Sequence, residues 1–162
     1  MDKYEFLVAP QETGHGRSVF RVCPGVVDSE ARELFQWGYC HLLACAIHEV
    51  TGWVFGVVEG ISRRTGGWTW VHMGVLTPGG DFLDIDGIHP VTAPRLAFQP
   101  DPWRIRALPD FPAFCRTVGL AADTPLAWWR GEFNEVGTRV IAEFADHALT
   151  AVPTLDTLEV AA

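Results

Sequence analysis

Apolar residues follow a helical period in the first third of the chain and again near its C-terminus. Two segments with this period predict short helices at 29–36 and about 40–51, and Gly38 and Gly52 follow them as typical helix stops. Between the helical regions the pattern changes to strand-like runs that are separated by glycine and proline turns. The predicted order of helices, then strands, then helices favours an α+β domain over an alternating α/β domain.

Further strands and helices complete this prediction. Strands are predicted at residues 2–9, 18–22, 53–59, 68–76, 81–87 and 103–108. Later helices are predicted at 110–120 and at 124–149, and the second is either one helix or two, because Gly131 and Gly137 weaken it. Residues 88–102 carry four prolines and no clear period. They predict an irregular segment that either covers a site or simply crosses the surface.

The Pro-Gly-Gly stretch at 78–80 lies between two predicted strands and predicts a hairpin. Facing residues of an antiparallel pair lie on one side of the sheet, so the turn length decides which acid meets His72. A three-residue turn places Asp86 opposite His72 and Asp84 on the diagonal. A five-residue turn that is shifted by one residue places Asp84 opposite, and a two-residue turn at Gly79-Gly80 sends His72 to the other face from both acids. A carboxylate beside His72 would fix its tautomer and stabilise its charged form.

Cys40 begins the second predicted helix. In the first turn of a helix, free backbone N–H groups and the helix dipole favour a thiolate. At 100° per residue, Cys40 shares a core-facing stripe with Leu43, Ala44, Ile47 and Val50. The alternative interpretation is a small buried thiol that only packs against its neighbours.

A neighbouring face of the same helix carries His41, Cys45 and His48 at i, i+4 and i+7. These side chains are soft enough for Zn²⁺, which makes a metal site the second hypothesis. One helix supplies at most three ligands and no second cluster completes a tetrahedron. We therefore expect no metal and no other cofactor, and we expect His48 to interact with the C-terminal dipole of the helix.

A cysteine at a helix start, a histidine on a strand and an acid on the next strand together resemble the papain-like superfamily of cysteine hydrolases, in its compact bacterial forms. The stretches GYCHLLACAIHEVTGW and HMGVLTPGGDFLDIDG are similar to the nucleophile helix and the histidine-strand unit of NlpC-type cell-wall peptidases and papain-fold deamidase toxins. The similarity covers residues 36–87. It implies a papain-like fold, in which a central nucleophile helix packs on an antiparallel sheet.

The resemblance also implies a role for each matching residue. Cys40 would be the nucleophile and His72 the general base. Asp84 would orient His72, and Asp86 is the alternative acid for that role. Gln36, together with the backbone N–H of Cys40, would donate hydrogen bonds to an oxyanion.

These roles predict a cysteine-dependent hydrolase or acyl transferase that acts on an amide bond through a Cys-His-Asp triad. The substrate would be a peptide, a protein or a small amide, and the reaction peptidolysis, deamidation or transglutaminase-like transfer. Trp68 and Trp70 share the strand face of His72 and are expected to wall the substrate cleft. The third hypothesis is a non-enzymatic binding, inhibitor or immunity protein on the same scaffold.

Composition and charge limit the class of protein, its partners and its expected location. The 162 residues are 48% hydrophobic and 20% charged, which is typical of a globular chain and predicts a single domain over 1–162. The formal net charge of −8 disfavours binding to nucleic acid. The N-terminus lacks the apolar core of a signal peptide, no uninterrupted apolar run could span a membrane, and the four cysteines form no CxxC. We therefore expect a cytoplasmic protein with free thiols and no membrane partner.

Overall fold

A computed structural model describes residues 2–9, 18–97 and 99–153. These residues form an α+β fold, as the order of the sequence patterns predicts. The strands are β1 Tyr4–Leu7, β2 Val19–Val22, β3 Phe55–Ile61, β4 Trp68–Leu76, β5 Phe82–Asp84, β6 Gly87–His89 and β7 Trp103–Ala107. The helices are α1 Ser29–Trp37, α2 Cys40–Thr51, α3 Phe111–Val118, α4 Trp128–Gly131 and α5 Glu135–Leu149.

Five antiparallel strands form the main sheet in the order β6-β5-β4-β3-β7, and β1 pairs with β2 in a separate ribbon. The predicted edge strand at 103–108 is confirmed, since β7 is the last strand on one side. A β-bulge interrupts the pairing of β3 with β4, so that Val58 faces His72 whereas Glu59 faces Trp70. The bulge breaks the strict alternation of side chains along β4 next to His72.

The prediction of one strand at 81–87 is wrong, because the chain turns sharply inside that segment. β5 ends at Asp84, whose carboxylate accepts the backbone N–H of Asp86 at 2.9 Å. Gly87 follows with φ at +99°, a conformation that glycine adopts without strain. β6 then brings His89 into the sheet, although the sequence pattern assigns it to an irregular segment.

Helix α2 is the central helix and packs against β4, α1 and α5. Gly52 ends it with φ at +70°, which confirms the predicted stop. Its buried surface is broader than the predicted stripe, because Leu42, Cys45 and Ala46 are buried as well, while Val50 is 66% exposed. A helix that is covered by a sheet on one side and by helices on another has little free surface, so the prediction of a single core stripe fails.

The segment at 124–149 forms two helices, which is one of the two alternatives that its pattern leaves open. Asn134 caps α5 by accepting the backbone N–H of Gly137 at 2.9 Å, so Gly137 lies in the first turn and not at a break. Trp129 of α4 donates its indole N–H to Glu49 of α2 at 2.7 Å. Among the helices described, none is both long enough and apolar enough to cross a membrane.

Residues 90–102 connect β6 and β7, the two edge strands, and therefore cross the width of the sheet. Pro94 in this segment is buried. A Cβ on Gly60 of β3 would lie 2.6 Å from the Cβ of Pro100, so glycine is needed where the two pass each other. The described residues of this segment thus pack against the sheet.

Candidate active site

The hairpin between β4 and β5 brings His72 to Asp84. The backbone N–H of Thr77 donates to the carbonyl of Asp81 at 2.8 Å, which encloses a turn of three residues. This is one of the three turn lengths that the sequence allows. Asp84 then lies on the diagonal from His72, and its Oδ2 is 2.9 Å from Nε2 of His72.

Asp86 would face His72 if β5 continued, but β5 ends before it. Its carboxylate instead accepts hydrogen bonds from Nε of Arg32, at 2.9 Å, and from the amide of Gln36. The structure therefore brings Asp84, and not the alternative acid Asp86, to His72. Gln36 lies near Cys40 on the wall of a shared pocket, with its amide held by Asp86.

Glycine faces Asp84 on both neighbouring strands. On β6 the facing residue is Gly87, and continuation of the β4–β5 register places Gly74 opposite on β4. A Cβ on Gly74 would collide with the Leu83 carbonyl and come within 2.6 Å of the Phe82 ring. Because no side chain stands directly opposite Asp84, its carboxylate is open to diagonal contacts from both sides.

Cys40 is the first residue of α2 and is only 5% exposed. Burial alone would raise the pKa of its thiol. Hydrogen bonds and positive charge from His41 and His72 outweigh burial and lower the pKa to about 6. His41 therefore belongs to the surroundings of the thiol, although the helix pattern grouped it with Cys45 and His48.

His72 is also buried, with 5% of its surface exposed. Burial disfavours the charged imidazolium, but Asp84 and Cys40 on either side of the ring raise the pKa of His72 to about 10. Asp84 is 4% exposed, and although burial opposes its ionisation, His72 and His89 hold its pKa below its usual range. Between about pH 6 and 10 the site therefore holds a thiolate and an imidazolium, which titrate as a coupled pair.

A pocket of about 370 Å³ opens beside the thiol. Its walls are Gln36, Trp37, Gly38, Cys40, His41, Trp70, Val71 and Val118. The expected wall residue Trp70 is among them. The other, Trp68, is not, because it lies 4.2 Å below the guanidinium of Arg104 on β7. Trp68 is the first residue of β4 and pairs with Ile61, so it lies two residues farther from His72 along the strand than Trp70 does.

Part of the 90–102 segment lies over the triad candidates. A narrow gap is lined by Leu96 and Ala97 from this segment together with Gln36, His72 and Asp84. Of the two alternatives for this segment, a cover over the site and a plain surface crossing, the structure shows the cover. It leaves the larger pocket on the Cys40 side as the approach to the sulfur.

His41 and His48, two of the side chains considered as zinc ligands, contact other groups in the structure. Nδ1 of His48 is 2.7 Å from the carbonyl of Trp53. His41 packs between aromatic rings, 6.1 Å from Trp70 and 6.2 Å from Trp128. Within the described ranges, no three His, Cys, Asp or Glu residues are grouped so that they could hold a metal ion.

Sequence reasoning missed His89, whose Nε2 lies 2.9 Å from Oδ1 of Asp84. The signal that could have found it is the Asp-Gly pair at 86–87, which is typical of a tight turn and would have extended the hairpin by a third strand.

No protein family, curated protein sequence or solved structure shows a match to this chain.

Proposed function

We propose that this protein is a cysteine-dependent amide hydrolase or acyl transferase of papain-like type, with Cys40, His72 and Asp84 as its catalytic triad. The observation that carries the proposal is the continuous buried line from Cys40 through His72 to Asp84. The papain-like assignment is supported by the position of the thiol, at the start of a central helix that packs on an antiparallel sheet. Hydrophobic packing alone gives no reason to bury a carboxylate and an imidazole beside a thiol.

In the first step, the Cys40 thiolate attacks the carbonyl carbon of an amide and forms a carbon–sulfur bond. The imidazolium of His72 then gives its proton to the amide nitrogen, the carbon–nitrogen bond breaks and the amine leaves. Asp84 accepts a hydrogen bond at Nε2 of His72, so the other ring nitrogen, Nδ1, is the one available to exchange a proton with the sulfur and the substrate.

In the second step, water or an amine acceptor attacks the thioester while His72 takes its proton. The carbon–sulfur bond breaks, and the thiolate returns with the imidazolium beside it. Water as acceptor gives hydrolysis or deamidation, whereas an amine gives acyl transfer. Peptidase, deamidase and transglutaminase-like reactions thus share this machinery, and a peptide, a protein or a small amide would serve as substrate.

The oxyanion formed in each step would lie at the first turn of α2. The N–H groups of Cys40 and His41 lie at this end of the helix, ahead of Leu42, whose N–H donates to the Tyr39 carbonyl at 3.1 Å. These groups and the helix dipole favour negative charge next to Cys40. Gln36 is the side-chain candidate for a second donor, since it borders the same pocket.

The proposal is tested by the rate at which iodoacetamide alkylates each cysteine between about pH 5 and 9. The rates are read by peptide mass spectrometry in the wild type and in His72→Ala. We expect Cys40 alone to react rapidly below neutral pH, and to lose at least about a factor of ten without His72. Cys23, which is half-buried, is the internal control in every sample.

A Cys40 that reacts no faster than Cys23 in the folded protein would contradict the catalytic proposal. The non-enzymatic binding hypothesis would then be favoured. Circular dichroism of His72→Ala shows whether a lost rate reflects lost chemistry or lost folding.

A further inference from the structure

Asp84 is shared by two buried histidines. Its Oδ2 is 2.9 Å from Nε2 of His72, and its Oδ1 is 2.9 Å from Nε2 of His89. Oδ1 also accepts the backbone N–H of Asp86 at 2.9 Å. His89 is 5% exposed, so its imidazole is almost as buried as the carboxylate that it contacts.

The three side chains come from three consecutive strands of one sheet, with His72 on β4, Asp84 on β5 and His89 on β6. His89 directly faces Phe82, and Asp84 directly faces Gly87, so the contact between His89 and Asp84 is diagonal. The Phe82 ring lies 5.9 Å from the His72 ring and 6.2 Å from the His89 ring. The two imidazoles thus reach Asp84 from opposite sides and are both packed against Phe82.

A buried carboxylate with an unsatisfied oxygen is unfavourable, and it rotates or takes up a proton to relieve this. His89 and the backbone N–H of Asp86 together occupy Oδ1, and only Oδ2 is then left for His72. We propose that His89 is a positioning residue, which holds the Asp84 carboxylate in the one orientation that orients His72. This inference rests on the proposed function, and it adds His89 as a supporting residue to the triad of Cys40, His72 and Asp84.

The charged and titratable groups around this contact come from α1, α2 and β4 and from the turn between β5 and β6. Cys40 and His41 belong to α2, and His72 to β4. Arg32 of α1 pairs with Asp86, which neutralises the acid nearest to Asp84 in the chain. His72 and His89 are the two titratable side chains that act on Asp84, and His72 in turn interacts with Cys40.

The first experiment compares the pH profile of Cys40 alkylation in His89→Ala and in His89→Gln with that of the wild type. We expect His89→Ala to lower the rate near neutral pH about tenfold and to move the acid limb to higher pH, because a loosened Asp84 stabilises the imidazolium less. His89→Gln keeps an N–H donor at a similar reach and is expected to remain within about twofold of the wild type.

His48→Ala is the matched control. It also removes a histidine, but one whose Nδ1 contacts the Trp53 carbonyl and whose ring stacks on Phe55 at 4.3 Å. We expect this variant to keep the wild-type profile of Cys40. A folded His89→Ala protein with an unchanged profile would overturn the proposal, as would a His89→Gln profile that is as impaired as that of His89→Ala.

A second measurement needs no substitution. Nitrogen-15 NMR of the histidine rings in the intact protein identifies which nitrogen of His89 carries a proton. The proposal requires a proton on Nε2, where it is donated to Asp84. A neutral His89 ring with its proton on Nδ1 alone would place two acceptors against each other and would overturn the proposal even if His89→Ala does not fold.

The two proposals fail in different ways. A slow Cys40 in the wild type contradicts the proposed function itself. A fast Cys40 that depends on His72 but is indifferent to His89 leaves the proposed function standing and removes only the role of His89.

Discussion

Helix α2 carries two buried cysteines whose thiol pKa values are shifted in opposite directions. Cys40 is 5% exposed and Cys45 is fully buried. Burial raises the pKa of Cys45 well above its usual value, and the nearby Cys115 and Glu49 raise it further. Cys40 experiences the same effect of burial, yet His41 and His72 lower its pKa to about 6. Burial therefore does not distinguish a reactive thiol from a packing thiol, whereas the charge of the neighbouring side chains does.

The largest change in the reactivity of Cys40 is expected when the negative charge of Asp84, which supports His72, is removed. We expect Asp84→Asn to slow the alkylation of Cys40 near neutral pH by about a hundredfold, because the neutral amide no longer stabilises the imidazolium. Asp86→Asn is the matched control, since Asp86 contacts Arg32 and Gln36 and not His72. Equal losses in both variants would contradict the assignment of Asp84.

Serine substitutions separate the two cysteines by stability. Cys45→Ser buries a hydroxyl among apolar neighbours, and we expect it to reduce the free energy of unfolding by about 1–3 kcal/mol. Cys40→Ser retains a polar group beside His41 and His72, so we expect it to reduce the free energy of unfolding by less than about 1 kcal/mol. Urea unfolding of both variants measures the difference. The reverse ranking would show that Cys40 is the structural thiol.

The pH dependence of alkylation tests the same contrast in the unaltered protein. The pKa of Cys40 lies below that of a free thiol, so its thiolate is present above about pH 6 and is lost as the pH falls through that value. Below it, the rate of Cys40 is expected to fall about tenfold per pH unit, while Cys45 stays unreactive until the protein unfolds. Catalysis would also decline as the pH rises through about 10, where His72 loses its proton. A Cys40 midpoint near 9, the value of an ordinary thiol, would contradict this account.

The smallest expected effect concerns the second imidazole. His41→Phe keeps a ring between Trp70 and Trp128 but removes the nitrogen atoms near the sulfur. We expect the pKa of Cys40 to rise and its alkylation near pH 6 to slow about threefold, less than in His72→Ala, because His72 retains its contact with Asp84. Alkylation of Cys23 in the same sample provides the reference. A loss as large as that in His72→Ala would make His41 the principal partner of the thiol.

Local sequence signals predict the helices and strands around the site well. The strand at 68–76 and the helix at 40–51 are confirmed at both ends. Both segments are bounded by residues with strong local preferences, such as Gly52 in its left-handed conformation. The prediction at 81–87 fails, because a carboxylate that binds the backbone two residues ahead outweighs strand propensity.

The pocket walls were harder to predict from strand alternation. Trp68 and Trp70 are equivalent in a regular strand, yet only Trp70 borders the pocket beside Cys40. Strand alternation predicts the face of a residue but not how far along the strand a pocket extends, and the contact of Trp68 with Arg104 of β7 is not visible in the pattern of β4 alone. Likewise, Val50 fits the core stripe of α2 but is exposed, because the helix ends beyond the cover of its neighbours.

Helix ends, strand alternation and glycine turns are set by neighbouring residues, so local signals are enough to predict that Cys40 begins a helix and that His72 lies on a strand next to a turn. The same signals leave open which acid reaches His72, and they do not indicate His89. Both points depend on where β5 stops and on the pairing of β4, β5 and β6, and these are features of the folded sheet. Contacts between strands are stabilised jointly by the whole sheet, so a single segment does not encode them.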